Sequence, residues 1–443
     1  MESYPSITMR DEHVGIRRFI ELSLILIYKT SLEFVLANYI VNEFSDSFSY
    51  SFDLLKYITG VAVILMIFYV MPKDLTKPSA FFLEMHYLIG IIPITVIYAF
   101  CDFATEYYLT VCASFVLAAL ILRTDHRPIS VNSRFLCKVM IGVFYLTILV
   151  VCLDIVYENG MFSLKALSLS KVYLVRRAFR INKYIGYLFE WQITIIIPFF
   201  MADALERRKY FRAVVFSGIQ FVTYLYSGHK VVLFSIPLVI FIYYFIKKIR
   251  DPKTLYFLYM AGIALLTLVP KSVHSLMVAC SLFVRRVLLF PAELKFVYYD
   301  YFSSHKPVGF EGTVLFKVFG DGNEYSGGVG HVIASHYFGD TEMNANTGFM
   351  VEGFYRFGFI GIVIVFLLFA LMLYLLDSCA KKNGFALTLT ISVFSIYMLN
   401  DLDIIGSMIQ GYLFVLICIC IFYNKEFMIK KKTGVEYNEH TQQ

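Results

Sequence analysis

The chain has 443 residues, of which 59% are hydrophobic, 18% aromatic and 16% charged, with a formal net charge of +6. Soluble globular domains carry roughly 25% charged residues, and here the apolar residues fall in blocks of about 18 to 25, the length of helix that crosses a hydrocarbon core. An ordinary soluble domain is therefore excluded, and so is a membrane barrel, whose strands would alternate apolar and polar residues.

The positive balance fits basic loops on the cytoplasmic side of a membrane rather than a nucleic-acid surface. Asp11 and Glu12 precede the first apolar block, and that block is too long for the apolar core of a cleavable leader, so none is expected. Twelve spans are expected, centred near residues 30, 64, 92, 114, 148, 194, 218, 238, 262, 360, 390 and 413. With both termini inside, the short inner segments hold most of the basic residues, among them Arg207, Arg208, Lys209, Arg212, Lys247 and Lys248. The short outer segments 42–53, 101–107 and 399–404 hold no Lys or Arg, which is the usual inside bias of positive charge. Lys29 and Glu33 lie four apart inside the first span and are expected to pair. The eight cysteines form no ligand-spaced cluster and are expected to pack as small apolar groups.

Two outer segments are long, 157–184 and 272–347. In the second, residues 276–302 have an amphipathic, aromatic pattern and are expected to form a helix lying at the membrane interface, because Arg285 and Arg286 oppose crossing. The Gly309–Gly348 stretch, rich in Gly, His, Asp and Asn, is expected to be irregular. Residues 1–443 otherwise form a single integral membrane domain.

The residues suited to chemistry concentrate in these outer segments. Arg176 and Arg180 share a helix face in the first, and paired guanidinium groups suit phosphate or pyrophosphate; contact with anionic lipid headgroups would select the same residues. Lys230, after Gly228 and His229, could bind an anion or snorkel to headgroups. The second segment adds Arg285, Arg286, Lys295, Tyr299, Asp300, His305, Glu311, His331, His336 and Asn346. The histidines could act as acid/base groups, hold a metal, or do neither. Glu352 stands near the outer start of a span, where a carboxylate is costly unless paired or wet; it is either a functional group or the partner of Arg356 four residues on. Asp401 and Asp403 form a D-x-D, a pattern that holds metals in many nucleotide-sugar transferases and that turns also favour. No phosphate-binding glycine loop, nucleophile elbow or HExxH motif occurs, and neither a metal nor a cofactor is expected.

Three stretches resemble the bacterial O-antigen polymerases, the oligosaccharide repeat-unit polymerases. They are YLVRRAFRINKYIGYLFEW at 173–191, RRVLLFPAELKFVYYDYFS at 285–303 and NANTGFMVEGFYRFGFIG at 344–361, with GHK at 228–230. The resemblance implies the all-helical architecture of C-type glycosyltransferases and O-antigen ligases, with the two long segments in the periplasm. It implies a multi-pass enzyme of the bacterial inner membrane that moves a growing glycan from undecaprenyl pyrophosphate onto a hydroxyl of a new lipid-linked unit. Expected partners are those lipid-linked oligosaccharides, membrane lipid and a chain-length regulator protein, with no nucleic acid. In that frame Arg176, Arg180, Arg285, Arg286, Lys230, Tyr299 and Asn346 would bind substrate and its pyrophosphate, and Glu352 and His305 would be the catalytic pair. A flippase or other transporter of the same lipid, or an O-antigen ligase, is the alternative.

Overall fold

The computed structural model describes residues 11–43, 50–72, 75–124, 128–129, 131–168, 170–249, 251–267, 278–313, 325, 327–409 and 411–428. Of the long second segment, 272–277, 314–324 and 326 lie outside them. Among the described residues the chain is all helix, with no named strand. Each of the twelve expected span centres falls in a helix. In order these are α1 (Asp11–Val35), α2 (Leu54–Val70), α3 (Pro78–Phe100), α4 (Thr105–Arg123), α5 (Arg134–Asn159), then α6 (Val172–Ala178) in the first long segment. There follow α7 (Ile185–Glu206), α8 (Tyr210–Ser227), α9 (Lys230–Lys248), α10 (Lys253–Thr267), α11 (280–304), α12 (Val329–Phe338), α13 (Phe349–Asn383), α14 (Phe385–Met398), α15 (Ile404–Ile409) and α16 (Tyr412–Phe422).

Six of these, α3, α4, α5, α7, α9 and α13, are long and apolar enough to cross a membrane. α2, α10, α14 and α16 are apolar but shorter, and α1 and α8 do not combine that length with that apolarity. The chain is thus an all-α membrane protein. α3 runs through its centre: every residue from Pro78 to Phe100 is buried, Glu84 and His86 among them. Six of the eight cysteines are buried and two half-buried, all as free thiols. Lys29 and Glu33 do pair inside α1, with the ammonium 4.0 Å from the centre of the Tyr57 ring.

Segments that the charge pattern assigns to one side meet one another. At one end Arg17 pairs with Asp251, Ser79 donates to Asp377 at 2.6 Å, Arg207 reaches Tyr423 at 3.0 Å and Lys382 donates to the Cys420 carbonyl at 2.9 Å. At the other, Ser51 donates to Phe100 at 2.8 Å, Lys56 pairs with Asp102 at 2.6 Å and Tyr299 donates to Glu106 at 2.6 Å.

Three expectations change. The segment 276–302 does contain a helix, but Pro291 to Tyr298 of α11 are all buried, so its middle is enclosed by α3, α4 and α13 rather than lying on a membrane surface. Gly309–Gly348 contains the ten-residue α12, which the Gly- and His-rich composition concealed. The third change concerns α13, which is not one straight span.

Phe357 and Gly358 leave helical geometry, with Gly358 at φ 70° and ψ −156°, a conformation that favours glycine. The limb 349–356 folds back along 359–383. Gly353 and Gly361 make the contact: a Cβ on Gly353 would lie 2.2 Å from the Gly361 backbone, and one on Gly361 2.0 Å from the Gly353 carbonyl oxygen. At the far end of the limb, Phe349 packs on Phe366 and Phe369, with ring centroids 5.1 and 4.7 Å apart. The chain therefore enters the bundle before Phe349, climbs back, turns, and only then descends. α14 and α16 are correspondingly short; 14 and 11 residues rise roughly 21 and 17 Å, below the roughly 30 Å hydrocarbon thickness. Their connection at Leu399–Asp403, expected as an outer loop, buries Leu399 and Asn400 and leaves Asp401, Leu402 and Asp403 half-buried. A Cβ on Gly90 would lie 2.4 Å from Met350 and 3.9 Å from the Asn400 amide oxygen.

Gly353→Ala and Gly361→Ala each put a methyl group against backbone that has no rotamer with which to move aside. Each is expected to cost about 1–3 kcal/mol or more, read as a lowered thermal midpoint of the detergent-solubilised chain, whereas Gly142→Ala, where a Cβ would meet nothing, should leave it unchanged.

Candidate functional site

The re-entrant limb builds a polar hollow inside an apolar bundle. Residues 344–348 run in beside the Leu399–Asp403 connection, where the Phe349 N–H donates to the Leu399 carbonyl at 3.1 Å. A Cβ on Gly348 would fall 2.2 Å from the Asn400 carbonyl oxygen, so only glycine lets the two strands of chain pass. With the turns around Val308–Gly312 and Gly327–His331, and with Tyr298, Tyr325 and Tyr355, they enclose a cavity of about 370 Å³. Its polar walls are Glu311, His331, Asn344, Asn346, Thr347, Arg356, Asp401 and Asp403.

Arg356 is the hub. Its Nε donates to Glu352 Oε1 at 2.8 Å. Nη1 donates to the carbonyls of Gly309 at 2.9 Å and Glu311 at 3.1 Å, and Nη2 lies 3.5 Å from Asp403 Oδ2. Glu352 is fully buried and also accepts the backbone N–H groups of Ile404 and Ile405. One ion pair thus fastens the re-entrant limb to the start of α15 and to the 308–312 turns. Buried charges are tolerated only when paired and hydrogen-bonded in this way.

Asp403 differs from Glu352 in being reachable: its side chain keeps 34% of its exposure. Its Oδ2 also accepts the Gly406 N–H at 2.9 Å, which fixes the carboxylate's direction. Beside it, burial raises the pKa of Asp401 while the charge of Lys295 opposes the rise. Lys295 is itself 1% exposed and holds the connection from behind, donating to the carbonyls of Pro291 at 3.0 Å and Asn400 at 3.4 Å.

Of the residues singled out in the sequence, Asn346 lines this cavity and Glu352 anchors it from beneath. His305 stacks on Tyr301 with ring centroids 3.8 Å apart, and His336 is 6.3 Å away; His305 is not part of the cavity wall. Tyr299 faces α4 through its bond to Glu106. A second site gathers around Gly228, whose Cβ would lie 2.9 Å from the Val172 carbonyl and 3.0 Å from the Arg176 nitrogen. That contact sets GHK against the first long segment: Lys230 lies over the Tyr173 ring at 4.9 Å. Burial and then the Arg176 charge lower the pKa of His229, which keeps it neutral near pH 7. Arg176 and Arg180 are exposed there, but they do not share the expected helix face, because α6 ends at Ala178 and Arg180 follows it with its backbone tied to Asn159 at 2.9 and 2.8 Å. Arg286 is exposed on α11, and the half-buried Arg285 donates to Ser281 at 3.2 Å. α6 packs on α8 and on the short turn at Leu164–Leu167, whereas the first part of α11 packs on α1, α3 and α10, so Arg176 and Arg286 stand in different parts of the bundle. Sequence reading passed over Tyr298, Tyr325 and Tyr355 as cavity walls. The glycines at 348, 353, 358 and 361 were the available signal, since such density is unusual at the start of a plain span.

The fold and site define a polytopic helical membrane protein with a re-entrant limb and a polar cavity sunk between its helices. Comparison with protein-family models, curated proteins and solved structures finds no match for this chain.

Removing one partner of the buried pair leaves the other uncompensated, a loss of about 3–5 kcal/mol. Arg356→Ala, which strands the buried Glu352, is therefore expected to lower the thermal midpoint strongly, Glu352→Ala by less because Arg356 still faces Asp403 at 3.5 Å, and the double variant by less than the sum of the two. Glu352→Ala at wild-type stability would show that the pair does not hold the limb.

Proposed function

We propose that this chain is a membrane glycosyltransferase that polymerises undecaprenyl-pyrophosphate-linked oligosaccharide units at the periplasmic face of a bacterial inner membrane. The observation that carries the reading is Asp403: a reachable carboxylate, aimed by Arg356 and Gly406, in a polar cavity within an otherwise apolar bundle. The resemblance of three ordered stretches to repeat-unit polymerases supports it. In this scheme both termini lie in the cytoplasm, and the cavity opens to the periplasm.

The reaction breaks the bond between the donor sugar's anomeric carbon and pyrophosphate and forms one to an acceptor hydroxyl oxygen. The hydroxyl proton goes to a base, and undecaprenyl pyrophosphate leaves. Asp403 is that base in our reading, and a positioned base contributes about 10²- to 10⁴-fold. Glu352, fully buried and fully bonded, positions Arg356 rather than taking the proton. The leaving group gains negative charge as the bond breaks, which cations stabilise in the transition state more than before it; the candidates are Arg176, Arg180 and Lys230 in one part of the bundle, or Arg285 and Arg286 in another. A transporter of the same lipid is the second reading, favoured by the buried Lys29–Glu33 pair within α1, because charges inside a span mark many translocation paths.

Deleting the gene is expected to leave surface lipid carrying single repeat units; loss of all units would mark a transporter or ligase. At matched membrane levels, Asp403→Asn should shorten chains severely. Arg176→Ala or Arg286→Ala should cost about 10²- to 10³-fold in rate, with lysine restoring only part because it lacks the bidentate fork. Normal polymer from Asp403→Asn would remove it as the base. For topology, cysteines replacing Lys165 and Asp340 should react with an impermeant reagent added outside, and one replacing Lys209 only after the membrane is opened.

A further inference from the structure

We propose that the re-entrant cavity takes an uncharged, hydroxyl-rich glycan unit, that of the acceptor, and offers no seat to the acceptor's own pyrophosphate, which is bound elsewhere. The proposal rests on the reading that the substrate carries a glycan. It begins with the donors of Arg356. Nε and Nη1 are bonded to Glu352 and to the carbonyls of Gly309 and Glu311, and Nη2 faces Asp403. No guanidinium edge is left to present a fork to a phosphate, the geometry on which such recognition depends.

The remaining charges point the same way. Asp401, Asp403 and Glu311 line the cavity with Glu352 beneath them, against Arg356 and, behind the Asn400 backbone, Lys295. The surplus is acidic, so a dianion entering it meets repulsion. A divalent cation is disfavoured at Asp403 by the guanidinium 3.5 Å away. A neutral polyol meets neither obstacle, and its hydroxyls can donate to the carboxylates.

Thr347 supplies the independent sign of a ligand. It is 7% exposed, its Oγ1 has no hydrogen-bond partner among the described residues, and it lines the cavity. A buried hydroxyl left without a partner costs about 1–3 kcal/mol, a cost that a sugar hydroxyl would remove. The aromatic walls complete the fit. The hydroxyls of Tyr298 and Tyr325 are spent on the carbonyls of Ala345 and Lys306, both at 2.8 Å. Ring surface is what these two side chains offer the cavity, and ring surface suits the C–H face of a pyranose.

The test uses the full chain in phosphatidylcholine nanodiscs, with methyl glycosides of glucose, galactose, mannose and N-acetylglucosamine as probes. Saturation-transfer NMR is expected to register at least one of them. Thr347→Val and Asp403→Asn should each weaken that binding about tenfold or more, while sodium pyrophosphate and magnesium chloride leave it in place. Thr347→Val is nearly isosteric and serves if Asp403→Asn does not fold. Silence from all four glycosides up to tens of millimolar, undiminished binding in the folded variants, or displacement by pyrophosphate or magnesium overturns the proposal. Glycoside binding in a chain whose deletion leaves polymer length unchanged would sink the polymerase and keep the cavity. Shortened polymer on deletion, together with displacement by pyrophosphate, would do the reverse.

Discussion

A carboxylate and a guanidinium taken out of water must find each other, or the fold that buries them fails. Glu352 and Arg356 meet this constraint at 2.8 Å, and most of what is distinctive in the structure is arranged around them. Their helical spacing of four makes the pair local. Their other bonds reach far along the chain, to Gly309, Glu311, Ile404 and Asp403. A single buried pair thus ties three segments, remote in sequence, into one wall. Low effective dielectric strengthens each of these contacts and equally raises the cost of breaking one.

Close backbone approach is what allows the pair to sit so deep. Gly353 against Gly361 and Gly348 against Asn400 are contacts with backbone that a side chain would block. With the apolar packing of Phe349 on Phe366 and Phe369, they place a short limb of chain where a straight span would otherwise run. Irregular backbone at membrane depth is tolerated only inside protein or along a wet cavity, and here it is enclosed by protein and lines a polar cavity. The half-length α14 and α16 leave the room that the cavity occupies.

Two kinds of polar surface result, and they differ in what they can hold. Around the cavity the cation is saturated by fixed acceptors, so its role is to aim Asp403. In the first long segment Arg176 and Arg180 are exposed beside Lys230 and Tyr173, a surface open to an anion or to lipid headgroups. A substrate with a neutral glycan on a pyrophosphate has one part suited to each.

The residue pattern by itself determined that the chain is a helical membrane protein, since a long apolar block in lipid has only one way to satisfy its backbone. It also determined where helices occur and which segments share an end, because charge bias and block length act locally. Lys29 with Glu33, and Glu352 with Arg356, were legible for the same reason: a spacing of four is a fact of the helix. Tertiary structure alone decided that 349–356 folds back, that Asn400 is buried with its side chain near Gly90, and that the middle of α11 is enclosed. Each of these depends on contacts between segments tens to hundreds of residues apart, or on one glycine taking a positive φ, and helical periodicity carries no record of either. That is why Asp403 read in the sequence as half of a D-x-D that a metal or a turn would select, and becomes in the fold a half-buried carboxylate aimed into a polar cavity.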